Sequence, residues 1–156
     1  MSKVVALDAL TLNVRFELGA QETILSGIAV VNGTVVVGDQ RNDRLLVFSI
    51  TGEYVREIRG AWCKPLYIRF VEDRLYLLEQ EAVDPSLGQE VFPQGRRIFV
   101  LSPEGSTLQV FQPQAWQAAN VFAVQFEPLG KELLVTSRER ISSAPNRHRT
   151  WRVQGA

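Results

Sequence analysis

The feature that most limits what this chain can fold into is the recurrence, in fixed order, of short apolar strings. Leu45-Leu46-Val47-Phe48-Ser49-Ile50-Thr51-Gly52 aligns without gaps on Ile98-Phe99-Val100-Leu101-Ser102-Pro103-Glu104-Gly105 at an offset of 53, and the preceding Arg44 falls on Arg97. Ile28–Val31 and Val35–Asp39 align just as cleanly on Ile68–Val71 and Leu75–Glu79 at an offset of 40. Val124–Glu127 with Leu133–Thr136 makes a third copy, with a longer turn through Pro128, Leu129 and Gly130. Val4–Asp8 with Val14-Arg15-Phe16 fits the same frame at an offset of 41, and Arg149–Val153 fits Arg44–Phe48 at an offset of 105. Each string is too short for a helix and rich in Val, Phe and Tyr, which predicts strands. Thr51-Gly52 supplies the positive φ that a tight antiparallel hairpin needs.

The repeating unit is four strands, a to d, and the chain runs c-d, a-b-c-d, a-b-c-d, a-b-c. Residues 1–19 hold the first pair, 24–60 and 66–112 the two full units, and 121–154 the partial one. With 156 residues and 46% hydrophobic content, residues 1–156 can bury the core of one domain. Four short antiparallel strands recurring roughly every 40 to 50 residues are the signature of a β-propeller blade. Gapless repetition in two separate strand pairs argues against an ordinary β-sandwich. The expected fold is all-β, a propeller-like arc of about three four-stranded antiparallel blades, whereas propellers close with roughly four to eight. As a monomer the arc is incomplete and is expected to expose apolar faces at both ends. Completion is expected from a homo-oligomer, in which Asn13 to Leu18 of one copy completes the last blade of the other, from another propeller fragment, or from the rest of a longer parent chain of which this is a piece.

The wording of the blade is specific. Gly27-Ile28-Ala29-Val30, Val35-Val36-Val37-Gly38-Asp39, Asn42, Arg44-Leu45, Val47-Phe48 and Gly52 resemble the NHL repeat, whose pattern is G-I-A-V, V-x-V-A-D, N-x-R-I, V-F and a late glycine. The resemblance is closest over 27–60, weaker over 66–111 and faint elsewhere, and Glu79 stands where the family has Asp. It implies a propeller that binds a protein or peptide or, as some NHL propellers do, single-stranded RNA through a basic face. A propeller lactonase is the catalytic alternative.

Successive strands run antiparallel, so b-c and d-a connections share one face of the arc and a-b and c-d turns the other. The b-c connection is short in the first full unit but long in the second (EQEAVDPSLGQEVFPQGR) and third (SRERISSAPNRHR). Uneven connections carry function more often than the elements they join. The second loop holds Glu81, Asp84 and Phe92, and the third holds Arg138, Arg140, Arg147, His148 and Arg149. Clustered guanidiniums suit carboxylate or phosphate ligands, although two such loops can equally neutralise each other or stay solvated. Trp62 and Trp116 occupy equivalent d-a connections, as aromatic anchors for a ligand or as packing between blades. These ten residues form the candidate ligand face. Asp39, Asn42 and Arg44 read as turn-stabilising.

The inventory weighs against catalysis. One histidine and one cysteine exclude a multi-histidine metal site, a cysteine cluster and a disulfide within the chain. Ser142 and Ser143 lie near His148 but without an orienting carboxylate, and Glu22, Asn32 and Asn120 are too scattered for a lactonase calcium site. No catalytic residue, metal or cofactor is expected. Cys63 beside Lys64 is either a thiol of lowered pKa or a half-buried structural cysteine. Seventeen basic and seventeen acidic residues leave no net charge to steer the chain to nucleic acid or membrane. No signal-peptide pattern or apolar span is present, so a cytoplasmic protein without a membrane partner is expected.

Overall fold

The computed structural model describes residues 3–19, 22–79, 83–84, 89–90, 97–112, 121–139 and 147–154. Among them no helix is long and apolar enough to cross a membrane. The fold is all-β and antiparallel. β1 (Lys3–Leu7) pairs with β2 (Val14–Gly19) as an N-terminal hairpin. Blade 1 has the order β3 (Leu25–Val31), β4 (Thr34–Asp39), β5 (Arg44–Ser49), β6 (Tyr54–Ile58). Blade 2 is β7 (Pro65–Val71), β8 (Arg74–Glu79), β11 (Ile98–Leu101), β12 (Thr107–Phe111), with the short pair β9 (Val83–Asp84) and β10 (Gln89–Glu90) inside its b-c connection. Blade 3 has three strands, β13 (Val121–Leu129), β14 (Glu132–Glu139) and β15 (Arg147–Gln154).

The sheets stack in chain order, and the period of two along each strand explains how. In β4, Val36 points to blade 2 while Val35 and Val37 point to the hairpin; in β5, Leu45 and Val47 face one way and Leu46 and Phe48 the other. Blade 2 is apolar on both faces too. Leu75, Leu77, Phe99 and Leu101 meet blade 1, whereas Tyr76, Leu78, Ile98 and Val100 meet Phe126, Leu133 and Val135 of blade 3. Val4 and Phe16 of the hairpin cover Val35, Val37, Leu46 and Phe48. Three apolar layers thus lie between four consecutive sheets, the arrangement of a propeller arc.

One end of the arc departs from expectation. The outer face of blade 3 shows Gln125, Glu127, Thr136, Thr150 and Arg152 to solvent beside Leu129 and Leu134, so it is mostly polar. Strands covered on one side only alternate in this way, and terminal repeats often end in a polar face. The outer face of the hairpin is mixed, with Lys3 and Glu17 beside Val5 and Leu7.

Turn and bulge positions repeat with the strands. Each a strand carries one extra residue, opposite the end of strand b: Gly27, Leu66 and Val124. Gly27 has positive φ, and a Cβ there would meet Ile68 Cγ1 at 2.8 Å, so this bulge lets β3 and β7 approach closely. Both c-d turns have the same bonds, Gly52 N–H to Ser49 C=O and Gly105 N–H to Ser102 C=O, at φ near +100°.

Candidate functional site

On the b-c face each full blade is closed by a buried acid at the end of strand b and an arginine at the start of strand c. In blade 1, Asp39 is wholly buried, and its Oδ2 accepts from Arg44 Nε at 2.9 Å and Asn42 Nδ2 at 2.7 Å. Its Oδ1 accepts from Ile24 N–H at 3.3 Å, which fixes the entry of strand a. Arg44 extends the chain outward to Glu57 at 2.8 Å, and Glu57 accepts from Arg59 at 3.1 Å. Burial on its own would raise the Asp39 pKa, but the Asn42, Arg44 and Ile24 hydrogen bonds outweigh it and hold the carboxyl below its ordinary value.

Blade 2 repeats this clasp with a longer acid. Glu79, buried, accepts from Arg97 Nε and Nη2 and from Cys63 N–H at 3.0 Å. Arg97 also donates to Ala61 C=O at 3.2 Å and lies 4.9 Å over the Phe99 ring. Burial pushes the half-buried Cys63 thiol up to about 11, and the Glu79 carboxylate adds to the effect, so the lowered-pKa alternative from Lys64 is overturned. In blade 3 Ser137 takes the acid's place, fully buried and accepting from Trp151 Nε1 at 2.6 Å, and Arg149 takes the arginine's place opposite it in the ladder.

The predicted ligand face is only partly visible. Glu81, Phe92, Arg140 and Trp116 lie outside the described residues, as does the side chain of Asp84 at the end of β9. Trp62 is 3% exposed in the layer between blades 1 and 2, edge-on to Phe99 at 6.0 Å. A buried indole cannot reach a ligand on the surface, so this residue packs between blades. Arg138, Arg147, His148 and Arg149 sit on strands rather than in a loop. The β14–β15 ladder runs past Ser137 to pair Arg138 with His148 and Glu139 with Arg147, which brings four basic positions to one end of blade 3. Arg149 is exposed. Among the described residues, no three His, Cys, Asp or Glu side chains cluster where they could hold a metal ion.

Sequence reasoning did not anticipate two cavities on the other face, among the a-b and c-d turns. One, about 550 Å³, lies between Ala6, Leu7, Arg15 and Phe16 of the hairpin and Ile50-Thr51 of the blade 1 turn. The other, about 500 Å³, opens between blades 2 and 3 above Tyr76, Val100, Phe111 and Leu133. The second opens beside β12, where among the described residues no c-d turn of blade 3 lies.

No protein-family model matches the sequence, and no curated protein matches it. Among solved structures, the chain is similar to Kuenenia stuttgartiensis hydrazine synthase, at TM-score 0.57 and 14% identity, over 97% of this chain and 56% of that one. It is equally similar to a protein of unknown function from Bacteroides caccae, at TM-score 0.57 and 14% identity, over 100% of this chain and 55% of that one. At such identity the likeness is one of fold, and the chain spans little more than half the length of either.

Proposed function

We propose that this chain is a non-catalytic binding and scaffolding module, NHL-like in its repeats and cytoplasmic, whose b-c and d-a connections present a surface to a protein or peptide. The observation that carries the reading is the clasp. Asp39–Arg44, through one guanidinium N–H, and Glu79–Arg97, through two, place the same acid–arginine pair at the roots of connections of very different length, residues 40–43 and 80–96. Length variation is thereby confined to loops on one rigid face, the arrangement by which a scaffold displays recognition segments. Closure of the arc by a second copy or by another propeller fragment belongs to the same proposal.

The test is selection of displayed peptides on the whole chain, followed by transplantation of residues 40–43 into the place of 80–96. Selected peptides are expected to bind the parent and to lose the transplant, with the melt unchanged. Failure to enrich any peptide, or binding indifferent to the transplant, refutes the assignment of the face.

A second reading, single-stranded RNA, is favoured by the ladder that gathers Arg138, Arg147, His148 and Arg149. Filter binding at two salt concentrations decides it, since affinity through phosphates must fall steeply with salt. Absence of binding at low salt removes RNA and leaves the peptide.

A further inference from the structure

The cavity between the hairpin and blade 1 has both its walls within the chain, β1 and β2 on one side and the c-d turn of blade 1 on the other. Its counterpart between blades 1 and 2 is crossed by an arginine. There Arg56, paired with Val47 in the ladder, donates from Nη1 to Glu104 C=O in the turn of blade 2 at 3.2 Å. The hairpin has its bulge at the same place in the ladder and sets Phe16 opposite Ala6, while the repeat offset of 53 carries Glu104 to Thr51. Ala6 is smaller than Val47, and Phe16 has no donor for the turn, so the space that Arg56 bridges stays open beside Ile50 and Thr51.

The lining is apolar apart from one cation and the Thr51 hydroxyl, which bonds Ser49 Oγ at 2.9 Å. Leu7 and Ile50 are exposed, Phe16 is half-buried, and Arg15, the bulge residue of β2, is exposed. Arg15 has no hydrogen bond or ion pair among the described residues. The acids of the hairpin are engaged elsewhere: Asp8 accepts from Leu10 and Thr11 N–H in its own turn, and Glu17 accepts from Lys3 at 2.8 Å. Glu53, in the facing turn, is not among the residues that line the cavity.

We propose that this cavity binds a free medium-chain carboxylate, an aliphatic chain ending in one negative charge. The carboxylate takes two parallel N–H bonds from Arg15, as a planar guanidinium provides. The chain lies over Ala6, Leu7, Phe16 and Ile50 and takes out of water apolar surface that the hairpin and the turn leave open to it. A volume of about 550 Å³ suits a small molecule, whose sites span roughly 300–1,000 Å³. Arg15 is the one charged residue of the lining, which favours a singly charged head over a phosphate. A polypeptide C-terminus also joins a carboxylate to an apolar group, but it brings backbone amides, for which the lining side chains offer only the Thr51 hydroxyl, already bonded. The site lies on the face of the a-b and c-d turns, so its test is separate from that of the peptide surface on the b-c face.

Sodium decanoate, kept below its micelle concentration, is titrated into the isotope-labelled whole chain and followed by amide shifts in NMR. Saturable shifts are expected at Leu7, Arg15, Phe16, Ile50 and Thr51. In Arg15→Gln the dissociation constant should rise at least about tenfold, the loss of a charged hydrogen-bonded pair. Arg15 is exposed, so the substitution leaves the fold intact. Decanol titrated into the parent removes the same charge from the ligand instead and should also bind at least about tenfold more weakly, which keeps the test decisive should the variant misfold. No saturable shift, shifts centred elsewhere, or equal affinity for decanoate and decanol overturns the proposal. So does tighter binding of the peptide acetyl-Gly-Gly-Leu, because the occupant is then a polypeptide C-terminus.

Discussion

Glu79→Gln removes one charge from a site built around it. The carboxylate is 1% exposed, and its partner Arg97 has only 21% of its side chain open to water. In the variant the guanidinium keeps the Ala61 carbonyl and the Phe99 ring but loses its counter-charge, and Cys63 N–H keeps an acceptor only if the amide oxygen turns toward it. Breaking a buried pair from one side costs about 3–5 kcal/mol. The retained amide acceptor and the partial exposure of Arg97 put this case near the lower end, at about 3 kcal/mol. For a chain of this size that lowers Tm by roughly 6–12 °C. Urea denaturation followed by tryptophan fluorescence measures it, with Trp62 in the adjacent layer as reporter. Glu57→Gln serves as the comparison, since that carboxylate is 36% exposed and its loss should cost under about 1 kcal/mol. Adding Arg97→Met to Glu79→Gln should recover part of the loss, with a coupling of roughly 1–3 kcal/mol. A Glu79→Gln cost no larger than that of Glu57→Gln would refute the view that the clasp holds the blade.

Other expectations follow from the layers and the clasps. Phe48→Ala empties a 4%-exposed site between blade 1 and the hairpin and should cost about 3–5 kcal/mol in urea denaturation; a loss under about 1 kcal/mol would mean the hairpin does not cover that face. Asp39 has a folded pKa below the ordinary aspartate value, so its stabilisation is present above that ordinary value and is lost as pH falls through the lower folded pKa; acid titration of Asp39→Asn should lack this component. Cys63 should react sluggishly with iodoacetamide at pH 8, its rate rising toward a midpoint of about 11, and Glu79→Gln should move that midpoint down; an unmoved midpoint means that burial alone sets it. Gly105→Ala combines a φ of +103° with a contact of 2.4 Å to Ile58 and should lower the melt clearly, whereas a neutral result would show that blades 1 and 2 do not meet there.

Strand order and blade membership were legible because they rest on local alternation and on repetition, both of which the sequence carries directly. The c-d turns were legible from Gly52 and Gly105. The a-b turn of blade 2 was legible through its alignment with blade 1 alone, since Glu72 and Asp73 both adopt positive φ without a glycine to mark it. The burial of Trp62 depends on how adjacent sheets stack, which no single repeat encodes, and its equivalence with Trp116 was as compatible with a surface anchor. Arg138 and Arg147 were read as loop residues because polar, non-alternating stretches look alike whether or not a ladder runs through them. The polar outer face of blade 3 was present in Gln125, Glu127, Thr136, Thr150 and Arg152, but it becomes visible only once the register assigns them to one side.

The two clasps bear on how such a blade can change over generations. Because an acid–arginine pair joins strands b and c at their junction, the pairing of the two strands does not depend on the length of the segment between them, 40–43 in one blade and 80–96 in the other. Insertions there add closure entropy that grows only with the logarithm of their length, about 0.6 kcal/mol per doubling. A lineage carrying this pair can therefore lengthen or shorten the intervening segment at small cost, provided that the bonds Asn42 gives to Asp39 and to the Glu22 carbonyl are kept or replaced. Where the junction holds a serine, as at Ser137, the strands are joined instead by the bond from Trp151, and the ladder continues outward through Glu139 and Arg147.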